Sequence, residues 1–235
     1  MVAYESALIP QDGDDDAMIE ALFDRCRQHY ILLMILVNRL LAMAIGGFCT
    51  YYVILTFRLN LTPEISRNVI IACSIWILIG AIGTTAVALR GTRNLRAFLK
   101  HSLDGGVFDK RQALLAAQEA VLFPGRQTRA EAAIDHFLTT IPICLSLHAL
   151  GAAPWKIVAQ VAVTGFIGVG CILFVGFFMF ERWLKPVIRS LLESGVEVPF
   201  ELYPVARLGM RLQLGFGLTP FQSGMVTFVS AGGAI

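Results

Sequence analysis

Between Tyr30 and Phe57 the chain carries a single charged side chain, Arg39. A bilayer hydrocarbon core about 30 Å thick is crossed by about 20 residues of helix. Lipid offers the backbone no hydrogen bonds, so such a run must satisfy its own polar groups. Four more apolar runs follow at 68–89, 134–153, 155–180 and 212–235, the last glycine-rich and interrupted by Pro220. The expected fold is all-α: a polytopic helical membrane protein with five transmembrane helices. Charged residues make up only 15% of the chain, against about 25% in soluble domains. That composition excludes a disordered chain, a nucleic-acid binder and an ordinary cytosolic enzyme. The first partner it implies is the lipid bilayer.

The placement of charge orients the spans. Residues 1–29 form a polar tail with Glu5, Asp12, Asp14, Asp15, Asp16, Glu20 and Asp24. It lacks the basic start and early apolar stretch of a signal peptide. The Asp12–Asp16 run lacks the downstream Glu of a calcium loop and reads as a solvated acidic segment. The membrane domain is then 30–235, with inner linkers at 90–133 and 181–211. Those inner segments and the tail hold nearly all the cations, among them Arg25, Arg90, Arg93, Arg126, Arg129, Arg182 and Arg189; the outer turns carry Arg58, Arg67 and Lys156. By the positive-inside rule the N-terminus is cytoplasmic, and a bacterial cytoplasmic membrane is the expected location. The chain stops at Ser230-Ala-Gly-Gly-Ala-Ile235 with no polar flank, which reads as a piece of a longer protein.

Both linkers are amphipathic. Leu95, Phe98, Leu99 and Leu103 share one helical face, as do Trp183, Val187 and Leu191. The two segments also share an order of features. A span leads to a helix, a Gly break, then Leu122-Phe123-Pro124 or Leu202-Tyr203-Pro204, an arginine pair, and a span with a proline, Pro142 or Pro220. That order points to a duplicated membrane unit.

Ionisable groups within spans are expensive and are the first functional candidates. Arg39 either pairs inside the bundle or snorkels to the inner headgroups. Asp135 and His136 open the third span, where Asp suits a helix N-terminus; the alternative is a pairing with Arg39. Pro142 and Pro220 kink their spans. Gly46, Gly80, Gly165, Gly168 and Gly176 permit close helix approach, within the chain or toward a protein partner. A lone His148 and five scattered cysteines without CxxC spacing give no metal site. There is no HExxH, Walker loop, GxSxG or paired-carboxylate motif, so no catalytic residue and no cofactor are assigned.

The stretch Glu181-Arg182-Trp183-Leu184-Lys185-Pro186-Val187-Ile188-Arg189 leaves a span and is followed by a Gly turn and arginines at 207 and 211. It resembles the N-terminal membrane region of bacterial class III adenylate cyclases with six spans, and its Pro186 the opening of a HAMP helix. The sixth span, the HAMP relay and the cyclase domain are absent here. What the resemblance implies is a non-catalytic sensor or anchor module that relays span packing to its inner linkers. The alternative is a structural subunit bound laterally to a larger membrane complex. A transporter half would need more polar groups near the midplane.

Overall fold

A computed structural model describes residues 13–57, 62–103 and 109–195. Among the described residues every regular element is helical and no strand occurs. The elements are α1 (Gly13–Cys26), a 3-10 turn (Arg27–His29), α2 (Tyr30–Phe57), α3 (Pro63–Gly91), α4 (Arg93–Leu103), α5 (Lys110–Ile134), a π-helical turn (Asp135–Thr140), α6 (Ile141–Ala149), α7 (Trp155–Trp183) and α8 (Lys185–Glu193).

Local chemistry sets the helix starts. The Thr62 hydroxyl accepts from the Ile65 N–H, with Pro63 in the first turn, and Asp109 accepts from the Arg111 N–H. Thr and Asp suit this position because their side-chain oxygens satisfy amides that the helix leaves open. Proline suits the first turn because no amide is needed there.

The helices join end to end into four rods long and apolar enough to cross a membrane: Ala17–Cys49, Pro63–Gly91, Lys110–Ala149 and Trp155–Glu193. The third has 40 residues. At 1.5 Å per residue it is about 60 Å long, twice the hydrocarbon thickness. It cannot lie wholly in lipid and must project on one side.

Two of the expected boundaries are corrected here. The third span does not open at residue 134, and 90–133 is not a free linker. Residues 93–134 form a helical hairpin, α4 against α5, and α5 runs through the π turn into the span. Pro124 does not stop α5. It is buried, and its carbonyl accepts the Thr128 hydroxyl at 2.8 Å. The fourth span likewise continues past 180 through Pro186 to Glu193. The fifth span at 212–235, Pro220 and the second copy of the proposed repeat beyond residue 195 lie outside the described residues.

Burial divides the bundle along its length. At the end formed by α1, α4, α8 and the start of α5, here called proximal, Tyr30, Leu95, Phe98, Phe180, Val187 and Leu191 are fully enclosed in one core. Tyr30 stacks on Trp183, with centroids 5.7 Å apart, and its hydroxyl donates to the Trp183 carbonyl at 2.8 Å. The Glu119 carboxylate of α5 accepts from the Leu95 N–H and from Asn94 Nδ2, which caps α4. An Arg189–Glu20 ion pair ties α8 to α1.

The middle of the bundle is the reverse. Leu36, Leu40 and Met43 of α2, Ile70, Leu78 and Ile82 of α3, and Phe137 of the π turn all point outward and are exposed. Water does not tolerate an apolar belt of that extent; hydrocarbon does. The chain is a helical membrane protein whose girth faces lipid. At the distal end, Cys144, Leu147, Val158 and Val161 close a smaller core. There Gly151 takes φ +72° in the α6–α7 turn, a conformation open to glycine at little cost.

Candidate functional site

The core of α2, α3 and α5 holds a polar cluster where lipid-facing helices normally carry none. From α2, Arg39 donates through one terminal nitrogen to Thr84 Oγ1 at 2.9 Å and through the other to Glu131 Oε1, with which it forms an ion pair. Beside it, Asn38 Nδ2 donates to the same Glu131 oxygen at 3.4 Å. From α5, Gln127 Nε2 donates to Glu131 Oε1 at 2.8 Å and to the Thr84 carbonyl at 3.2 Å. The Thr84 hydroxyl in turn donates to the Gly80 carbonyl at 2.8 Å. Asn38, Thr84, Gln127 and Glu131 are each at most 1% exposed.

This geometry follows from the sequence. Gln127 and Glu131 are one helical turn apart and so share a face of α5. The register of α5 on α3 is set nearby, where Gly91 meets the Phe123 ring and Gly83 meets Ile134. From Phe123, beside the Tyr30–Trp183 aromatic level, to Glu131 is about 12 Å of helix. Breaking one partner of a buried ion pair is costly because the other charge is left in a low dielectric. Three neutral donors and acceptors around the pair raise that cost further.

One turn deeper lies the π turn. Its sixth residue, Thr140, returns a hydroxyl bond to the Asp135 carbonyl at 2.9 Å, and the Ile141 N–H bonds the His136 carbonyl. Pro142 follows at the start of α6 and has no amide to give. A wide turn before a proline keeps the helix running where an ordinary ladder would be broken. His136 stacks on Phe166 of α7, centroids 4.4 Å apart, and its Nδ1 is buried without a partner, as is Thr139 Oγ1.

Arg39 therefore pairs within the bundle. Its ion-pair partner is Glu131, not Asp135. Asp135 and His136 do not open a span; they sit inside a continuous rod, so Asp135 is no helix cap. Gly80, Gly165, Gly168 and Gly176 each stand at a close approach. A methyl group at Gly80 would run into the Thr139 hydroxyl. At Gly165 it would lie 2.7 Å from Thr140 Cγ2, at Gly168 3.0 Å from Cys49 Sγ, and at Gly176 3.0 Å from Asn38 Oδ1. Gly176 thus makes room for the residue that helps hold Glu131. Gly46 is the correction: a methyl group there meets open space, because that face of α2 turns away from the other described helices. His148 stacks on Trp155 and faces the Ala153 carbonyl, an arrangement that closes the distal turn. Among the described residues no group of three His, Cys, Asp or Glu side chains is placed to hold a metal.

The glycine contacts give a direct test. Gly80→Ala should cost about 1–3 kcal/mol through overpacking, while Gly46→Ala should leave unfolding stability unchanged. Equal effects of the two in a denaturation series on reconstituted protein would refute the packing described.

Compared with protein-family models, with curated proteins and with solved structures, the chain matches none. The site therefore rests on its own geometry. Glu131, Gln127 and Thr84 are its unanticipated members. Their signal was a polar residue at every fourth position, Gln127, Glu131, Asp135 and Thr139, entering an apolar run.

Proposed function

We propose that this chain is a non-catalytic membrane relay: a sensor or anchor module that converts a change in span packing into a change at its proximal helices. One observation carries the reading. The rod Lys110–Ala149 holds both ends of the path, with Gln127 and Glu131 in the membrane cluster and Ala113, Ala116, Ala117 and Ala120 buried at the proximal end. A helix transmits displacement along its axis, so a shift at Glu131 is felt at the platform.

The proximal end holds Arg25, Arg27, Arg90, Arg93, Lys110, Arg111 and Lys185, which supports placing it on the cytoplasmic side of a bacterial membrane. α8 continues α7 through Pro186 and packs Val187 and Leu191 into the platform. This supports an output at the point where the sequence resembles a HAMP helix of an adenylate cyclase membrane region.

Hydrogen exchange on the chain in lipid nanodiscs tests the relay. Glu131→Gln keeps the side chain's shape and weakens its hold on Arg39. Amides at 95–99 and 187–191 should lose protection. A change confined to 127–141 would sink the reading. A second reading, an accessory subunit held laterally by a larger complex, is favoured by the open face at Gly46 and Gly47; stable co-purification that Gly46→Leu abolishes would support it.

A further inference from the structure

Along the inner face of the central rod, Gln127, Glu131, Asp135 and Thr139 recur at every fourth position. α3 faces the first two with Thr84 and the second two with Gly80. The first two are fully engaged by hydrogen bonds and by Arg39. The second two are not. Among the described residues Asp135 makes no ion pair, and beside it Thr139 Oγ1 is buried without a partner. A methyl group built at Gly80 lies 3.7 Å from Asp135 Oδ1, so the carboxyl is turned toward the α3 seam.

Charge counting then decides the matter. The seam brings together one guanidinium, Arg39, and two carboxyl groups, Glu131 and Asp135. Arginine does not give up its proton in proteins. An unpaired carboxylate at this depth is costly, and the usual relief is protonation. The other titratable groups around Asp135 do not balance it. His136, in the same turn, is stacked on Phe166. The remaining titratable side chains within the spans of α3 and α7, Cys73 and Cys171, lie about two helical turns from Gly80 and Gly165; Cys144 lies further along α6.

We propose that Glu131 and Asp135 share one proton, carried by whichever carboxyl Arg39 does not hold. In the arrangement seen, Arg39 holds Glu131 and the proton is on Asp135. In the second arrangement Arg39 pairs with Asp135, about 6 Å further along the rod, and the proton is on Glu131. Net charge is the same in both, so neither is excluded by desolvation. Gln127 and Asn38 already bond the Glu131 oxygen and remain there when Arg39 leaves. Asn38 rests against Gly176 of α7, so movement of Arg39 and its neighbour shifts the α2–α7 pair against the central rod. Two carboxyls competing for one cation form the bistable element that a relay needs. The inference rests on the relay reading and names its switch.

Infrared spectroscopy of the full chain in nanodiscs, titrated from about pH 4 to about pH 9, reads the proton directly. At neutral pH the wild type should show the carbonyl stretch of a protonated carboxyl. Asp135→Asn leaves Arg39 on Glu131, and Glu131→Gln leaves it on Asp135, so each single variant should lose the band. Arg39→Gln should strengthen it, because both carboxyls then need protons. No band in the wild type, or a band that persists in Asp135→Asn, would overturn the shared proton. So would a wild type without the band whose platform protection depends on added sodium, which would make the bound cation a metal ion. Hydrogen exchange separates this from the relay. The two single variants freeze opposite arrangements, and their protection at 95–99 and 187–191 should differ. A band that behaves as stated with identical platform exchange in both variants would keep the proton and overturn the relay.

Discussion

Replacing Glu131 and Asp135 together with alanine should cost the bundle about 3–5 kcal/mol of unfolding stability, the range for leaving a buried charge unpaired. Arg39 is then left with the Thr84 hydroxyl alone and cannot neutralise itself. Either single replacement should cost clearly less, because Arg39 reaches the other carboxyl. The expected signature is strong non-additivity, the double loss exceeding the sum of the single losses. Removing the cation as well, as in Arg39→Met with both alanines, should recover much of the loss. Denaturant titration of the reconstituted protein measures all four variants. Additive effects would mean that the two carboxyls do not compete for one partner.

Phe180→Ala should be nearly as damaging, about 3–5 kcal/mol, for a different reason. Phe180 is fully buried and meets Phe123 edge-to-face, with ring centroids 5.1 Å apart. It belongs to the proximal core, where α5, α7, α8 and α4 close over one another. Phe174→Ala, one and a half turns away on the same helix, is the matched control. Phe174 is 42% exposed on the lipid-facing girth, where acyl chains take the place of the lost ring, and its replacement should stay within about 0.5 kcal/mol. Similar losses for the two would contradict the division of the molecule into an enclosed platform and a lipid-facing middle.

The parts of the fold legible in the sequence are those that lipid dictates. Tyr30–Phe57 emerges as one helix with the expected bounds, because a nearly uncharged run has no other way to satisfy its backbone in hydrocarbon. The third rod was not legible in this way. Its first half is alanine-rich and modestly polar, and what holds it is burial of Ala113, Ala116, Ala117 and Ala120 against its neighbours. Hydropathy registers affinity for lipid and is blind to that packing. Pro124 added a false stop.

The same boundary error hid the site. With the span opening at residue 134, Glu131 counted as a headgroup charge and Gln127 as a linker residue. Arg39 was legible as an outlier, since a guanidinium within an apolar run has few tolerable fates. Its partner was not, because pairing across 92 positions depends on helix register, which Gly83, Gly91 and Phe123 set through contacts invisible in one dimension. Gly46 and Gly80 look alike in sequence. Only the direction in which each helix face turns separates an open surface from a crossing point.

The wide turn at Asp135–Thr140 has a genealogical consequence. An α-helix rotates by about 100° per residue, and the turn accommodates one residue more than a regular ladder. Losing any one residue from this stretch would leave Gln127 and Glu131 in place. Everything beyond would swing by about that angle, and Ser146 would be carried away from Trp76, whose indole now donates to it at 3.2 Å. Individual letters here can drift under inheritance, but the spacing between Glu131 and Pro142 cannot. Descendants of this chain should differ freely in the lengths of their tails and turns while passing on that interval unaltered.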